Sequence, residues 1–168
     1  HGRVGEVVAL LTPHDATYIT GMLAIWMAAS KLIVIEAHFN PELCKEICEE
    51  SFTAAAVASV KFAPKFKDVD NCETLALQEN WVSELRAQGL QAALPKSSLD
   101  DIAILMMTSG TTGRPKTIAG TGFFMHLGAL AKALPAPFTD DDHREAFNVM
   151  FVWEVMRPLV QGFTSFVI

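Results

Sequence analysis

DIAILMMTSGTTGRPK, residues Asp101 to Lys116, divides into two halves of opposite character. Ile102 to Met107 is an unbroken apolar run of the length expected for a strand buried on both faces, whereas Thr108 to Lys116 is made of hydroxyls and glycines and closes on Pro115 and Lys116. A buried strand feeding directly into such a segment predicts an exposed loop at the strand's carboxyl end, where open α/β sheets bind their ligands. Gly110 and Gly113 let the backbone approach a ligand with no Cβ in the way, and successive N–H groups in such a turn form a concave anion site. Thr108, Ser109, Thr111 and Thr112 add neutral donors, and Lys116 adds a positive charge whose position the preceding Pro115 restricts. This set of groups suits a polyphosphate.

Two common nucleotide loops are excluded. A Walker A loop needs Gly-Lys followed by Ser or Thr, but the residue five positions after Gly110 is Pro115; a dinucleotide fingerprint through Gly120 and Gly122 fails at Met125, where a third small residue is required. Clusters of Gly, Ser and Thr are often plain solvated turns. Nine specified positions directly after a buried strand favour the phosphate site instead.

Outward from this segment, the chain alternates strands and helices. Val7 to Leu11 reads as a strand and Asp15 as the cap of a helix carrying Ile19, Met22, Leu23, Trp26 and Met27 at helical spacing. Leu32 to Ile35 reads as a second buried strand, Asn40-Pro41-Glu42 as a capped helix start, and Ala55 to Ala58 as a third strand. Lys61 to Ser98 is polar and mixed, with a helix expected near Glu73 to Ala87. After Lys116 a strand is expected at Thr117 to Ala119, a helix within Phe123 to Leu134, a loop from Pro135 to Asp142, and strand, helix and strand from Asn148 to Ile168 with Pro158 early in the helix and Gly162 at its end. The fold class that follows is α/β: a doubly wound, mostly parallel sheet with helices on both faces.

Bulk properties narrow the function. Hydrophobic residues make up 51% and charged residues 19% of 168, enough apolar content for one domain with a core. A formal charge of -6 with no Lys/Arg cluster speaks against a nucleic-acid surface. The apolar run Ile19 to Ile35 is interrupted by Lys31 and split by the turn-like Ala29-Ser30-Lys31, so it reads as a helix and a strand and not as a membrane span. Cys44, Cys48 and Cys72 form no even disulfide framework, which suits a reducing, cytoplasmic setting; Cys44 and Cys48 share a helix face but lack zinc-like companions and read as small apolar packing residues. His14 reads as a turn residue, the Asp140 to Asp142 run as a solvated loop, and Trp26 and Trp153 as core.

The run Asp101 to Lys116 resembles the signature of the adenylate-forming superfamily of acyl-CoA synthetases, luciferases and adenylation domains of nonribosomal peptide synthetases. Val7 to Ala58 is similar to that family's opening strand-helix-strand-helix-strand, and Val152-Trp153-Glu154 through Gly162 is similar to its peptide-synthetase branch. The resemblance implies that residues 1–168 are a partial N-terminal subdomain of a larger adenylation domain, with both ends cut. It implies an AMP-forming ligase that activates a carboxylic acid as the acyl-adenylate, using ATP and Mg, and passes the acyl group to CoA or a carrier-protein thiol. Thr108, Ser109, Gly110, Thr111, Thr112 and Gly113 would then hold the β- and γ-phosphates with Lys116 as their catalytic charge partner, and the Mg ligands would lie outside this chain.

The sequence also departs from the family pattern. Ala29, Val34 and Ala37 stand where Gly, Pro and Pro are usual, Thr117 replaces the glycine after the lysine, and Gly122 falls where histidine is common. With Trp153-Glu154 aligned, the aspartate that would hold a substrate α-amino group falls on Val149, which speaks against an α-amino-acid substrate. A second reading draws on these departures: a truncated or decayed nucleotide- or phosphate-binding module that retains the loop without the chemistry. A third, a structural fragment, would require that ATP is not bound at all.

Overall fold

The computed structural model describes residues 4–89, 93–108, 116–134, 144–147, 157–159, 162 and 164–167. Strand β1 (Val7–Leu11) is buried at every position and pairs in parallel with β2 (Lys31–Val34) on one side and β3 (Thr53–Ser59) on the other. Beyond β3 lies β4 (Glu73–Leu77), and beyond β2 lie β5 (Ile102–Thr108) and the edge strand β6 (Lys116–Thr121), in the order β4-β3-β1-β2-β5-β6. The first five strands are parallel; β6 returns antiparallel to β5. This is the doubly wound, mostly parallel sheet expected from the alternation of apolar strands and helices.

Two cores follow from the alternation of side chains along β1. Val7, Ala9 and Leu11 face α2 (Pro41–Glu50) and the 3-10 turn Ala63–Phe66, packing with Ile33, Ile47, Ala56 and Phe66. Val8 and Leu10 face α1 (Ala16–Met27), packing with Tyr18, Met22, Ile25, Leu32 and Ile104, and Met125 of α4 (Gly122–Ala133) joins them. The expected caps are in place: the Asp15 carboxylate accepts from Thr17 N at 2.8 Å, and the Asn40 side chain accepts from Leu43 N at 2.8 Å, with Pro41 as the first helical residue.

Three readings change. The helix expected near Glu73 to Ala87 is instead β4 followed by α3 (Trp81–Gln88), because Glu73 to Leu77 finds an open edge on β3 and cross-strand pairing outweighs local propensity. β5 is a strand as expected but not fully buried: Ile104 is enclosed while Ile102 and Thr108 are exposed, since only the edge strand β6 lies beyond it. The strand expected at Thr117 to Ala119 extends over the whole of Lys116–Thr121. In the C-terminal part, β7 (Arg144–Phe147) pairs in parallel with β8 (Thr164–Val167), and the expectations for 148–156 lie outside the described residues. The expected helix there is described only at 157–159, which includes Pro158, and Gly162 has φ +76. Among the described residues no helix is long and apolar enough to cross a membrane.

The turn that divides Ile19 to Ile35 is a helix-ending motif. Ser30 N donates to Ile25 O at 3.1 Å and Ala29 N to Trp26 O at 2.9 Å, with Ala29 at φ 52. A left-handed conformation suits glycine, the residue usual at this position in the family that the sequence resembles, and costs an L-residue about 1 kcal/mol. Ala29→Gly is therefore expected to raise stability by about 1 kcal/mol, read as a higher urea midpoint. An unchanged or lower midpoint would mean that this helix end is not held left-handed.

Candidate functional site

Parallel strands place all their carboxyl ends along one edge, so Leu11, Val34, Ser59, Leu77 and Thr108 terminate on the same side of the sheet. The glycine-rich segment sits there as the connection of a hairpin. Thr108 of β5 is the register partner of Lys116 of β6, and its hydroxyl donates to Lys116 O at 3.2 Å across the mouth of the loop. Both residues are exposed. Ser109, Gly110, Thr111, Thr112 and Gly113, with Arg114 and Pro115, lie outside the described residues. What is placed is the frame: two paired strands fix both ends of the segment, and Lys116 belongs to a strand, so its Cα cannot drift relative to Thr108. The Thr108 proton is engaged by the Lys116 carbonyl, which leaves this hydroxyl its lone pairs more than its donor capacity.

The hairpin is held from behind by close packing at Gly120. A Cβ there would stand 3.0 Å from Ile104 Cγ2, 3.2 Å from Phe124 Cδ1 and 3.3 Å from Met106 Cε. Gly122, at the start of α4, lies equally close to the backbone of Leu99, with Leu99 O 3.3 Å from a built Cβ. The first amides of α4 are already engaged: Gly122 N donates to Asp101 O, Phe123 N to Leu99 O and Phe124 N to the Thr121 hydroxyl. The N-terminus of α4 is thus closed off as an anion site.

Other groups at this edge were not legible in the sequence. Lys65, in the turn after β3, donates to Ala37 O at 2.7 Å and to Phe39 O, both in the loop after β2. Because β1 lies between β2 and β3, this ammonium ties together the two loops that flank its carboxyl end. Thr12 Oγ1 and Ser59 Oγ, at the ends of the neighbouring strands β1 and β3, are buried hydroxyls without a hydrogen-bond partner among the described residues. Burial pushes the Tyr18 phenol upward from its ordinary pKa, and the Glu36 carboxylate adds to the rise. These residues come from separate elements and carry no spacing signal, so only the tertiary arrangement reveals them.

The minor candidates fall as expected where they are described. His14 is an exposed turn residue with its ring against Tyr18, and Trp26 packs against the core with its indole N–H donating to Ala103 O at 2.7 Å. Cys44 and Cys48 are buried in the α2 core. Among the described residues no group of three His, Cys, Asp or Glu could hold a metal ion. A groove of about 390 Å³ lies between α1, α3 and β4, lined by Ala24, Ala28, Val57, Leu75 and Leu85; its walls are mostly apolar, with Glu73 among them, and it runs along a face of the sheet, away from the loop's edge.

Comparison with known proteins agrees with this architecture. The family described as AMP-binding enzyme matches residues 2–168. Glycine betaine reductase ATRR of Emericella nidulans is 30% identical over 160 residues, covering 95% of this chain and 12% of that protein. The N-(5-amino-5-carboxypentanoyl)-L-cysteinyl-D-valine synthase of Penicillium rubens is 25% identical over 170 residues, covering 97% of this chain and 4% of that one. Among solved structures, o-succinylbenzoate CoA synthetase from Bacillus subtilis, in complex with its acyl-adenylate intermediate, superposes with a TM-score of 0.82 at 20% identity, over 99% of this chain and 44% of that one. The chain therefore spans less than half the length of each of these proteins.

Gly120→Val is expected to destabilise the hairpin by about 1–3 kcal/mol, since the branched side chain has to displace Ile104, Met106 or Phe124. A urea denaturation series on the variant checks this. A midpoint equal to that of the parent sequence would show that the β6 face has room to spare.

Proposed function

Because this chain belongs to the AMP-binding enzyme family, we propose that it is part of the ATP-binding half of an AMP-forming ligase that activates a carboxylic acid. A carboxylate oxygen attacks the α-phosphorus of ATP, the bond to the bridging oxygen breaks, and pyrophosphate leaves with that electron pair; the acyl-adenylate then passes its acyl group to the thiol of CoA or of a carrier protein. The observation that supports this reading best is the Thr108–Lys116 pairing, which anchors the hydroxyl- and glycine-rich segment at the carboxyl edge of the sheet. Within it Ser109, Gly110, Thr111, Thr112 and Gly113 face the β- and γ-phosphates, Thr108 joins them once its hydroxyl turns from the Lys116 carbonyl, and Lys116 neutralises charge developing on the leaving pyrophosphate. Magnesium accompanies the ATP, with its ligands supplied by the phosphates and by residues beyond this chain. The residues 1–168 form a partial subdomain, a reading supported by the apolar stripe Phe123, Leu127, Leu130 and Leu134 that α4 leaves exposed. The three thiols and the absence, among the described residues, of a helix able to cross a membrane suit a cytoplasmic enzyme.

On the substrate side, Val149 in place of an aspartate supports an acid without a primary α-amino group, and the relative that is named a glycine betaine reductase points the same way.

Lys116→Ala in the full-length protein is expected to lower kcat/KM for ATP by about 2–4 kcal/mol in transition-state stabilisation while leaving the fold intact. Pyrophosphate release with Mg-ATP and a panel of fatty, aromatic, amino and betaine-type acids, alongside circular dichroism, tests it. Unchanged release would remove Lys116 from the site, and no release from the unsubstituted full-length protein with any acid would favour the non-catalytic phosphate-binding module. The isolated 168-residue chain is expected to give no turnover in the same assay, because groups that act jointly around the reacting atoms lose their effect together when members are missing. Robust turnover by the isolated chain would show that the site is complete within it.

A further inference from the structure

Cys72, distant in sequence from Cys44 and Cys48, meets them in one core. Cys44 and Cys48 lie one helical turn apart on the buried face of α2, and Cys72, partly buried, packs against the same cluster from the turn before β4. The sheet register accounts for this meeting. The β1–β3 pairing shifts by one residue at its start, so that Thr53 sits beside Val7 on the α2 face. The β3–β4 pairing matches Ala55 with Glu73, and continued one residue back it sets Cys72 beside Ala54, next to Thr53. Glu73, Leu75 and Leu77 line the groove on the opposite face, so alternation turns Cys72 toward α2. The Ser51 hydroxyl links Cys48 to Thr53, lying 3.3 Å from Cys48 O and 2.8 Å from Thr53 Oγ1. Both thiols therefore converge on the same corner, at the amino ends of β3 and β4.

We propose that Cys48 and Cys72 are a redox-responsive pair that closes into a disulfide when a peroxide reaches the partly exposed Cys72. The Cys72 sulfur attacks one peroxide oxygen, the O–O bond breaks, and Cys72 becomes a sulfenic acid with release of water. The Cys48 sulfur then attacks the Cys72 sulfur, the S–O bond breaks, and the Cys48 proton leaves with the hydroxide as a second water. Two thiols lose two electrons in total and one peroxide becomes two waters. Burial divides the roles. It pushes the Cys48 thiol up to about 12, with the adjacent Cys72 adding to the rise, so Cys48 is the slow, enclosed partner and Cys72 is the one that meets the oxidant. Cys44 lies one helical turn away with its thiol directed at Phe39 O in the loop after β2, which leaves it a bystander.

The crosslink would join α2 to β4, at the sheet edge opposite the β5–β6 hairpin. It should thus stabilise the fold without altering ATP use. The test is hydrogen peroxide treatment of the full-length protein, followed by peptide mapping without reductant. The expected product is one Cys48–Cys72 linked peptide, lighter by two hydrogens, reversed by dithiothreitol, retained in Cys44→Ser and lost in Cys72→Ser, with a raised Tm before reduction. The map of the unsubstituted protein stands even if a variant folds poorly. Cys72 ending as sulfinic acid, pairing with Cys44 or any other thiol, or remaining unmodified while other cysteines oxidise would each overturn the proposal.

Discussion

Strand β1 imposes the constraint on which the rest of this chain depends. Its five residues are buried on both faces, and its backbone pairs on both sides in parallel. Parallel neighbours cannot be joined by tight turns, so each connection must cross over a face, and apolar side chains on both faces must each find a cover. α1 and α2 meet both demands at once, one on each face. The loops that leave the carboxyl ends of β1, β2 and β3 then depart toward opposite faces, and the edge they open is the edge at which β5 delivers its glycine-rich segment.

The loop's placement depends less on its own residues than on the hairpin that brackets it. Thr108 and Lys116 are partners across β5 and β6, and β6 can approach β5 closely because Gly120 presents no side chain to Ile104 and Met106. Two departures from the family pattern acquire physical reasons in this frame. Gly122 stands where histidine is common because the Leu99 backbone leaves little space for a Cβ. Thr117, in place of glycine, is an exposed β-branched residue within an edge strand, a position such residues favour. Ala29 is a departure of another kind, since it adopts a left-handed backbone that glycine adopts without strain, and the helix end tolerates it.

The two edges of the sheet serve different purposes. On the β6 side the chain presents the exposed, paired Thr108 and Lys116. On the β4 side it is closed by small apolar packing in which Cys44 and Cys48 join Ile47 as the buried residues of α2, a role that suits a weakly polar side chain of modest volume. Lys65 belongs to neither. Its ammonium secures the loops around the end of β1, and so contributes order to the carboxyl edge.

By itself, the sequence determined what depends on near neighbours: the strand character of Val7 to Leu11 and Ile102 to Met107, the caps at Asp15 and Asn40, and the break at Ala29-Ser30-Lys31. These signals lie in the spacing of apolar residues and in side chains that bond to the backbone two or three positions away. Tertiary structure alone decided what depends on residues far apart. Glu73 to Leu77 became a strand because β3 offered an open edge, although its own residues read equally well as helix. The antiparallel return of β6, the reach of Lys65 across the end of β1, and the meeting of Cys48 with Cys72 all follow from strand order and register. Those are set by how two apolar faces are covered together, which no local stretch of sequence encodes.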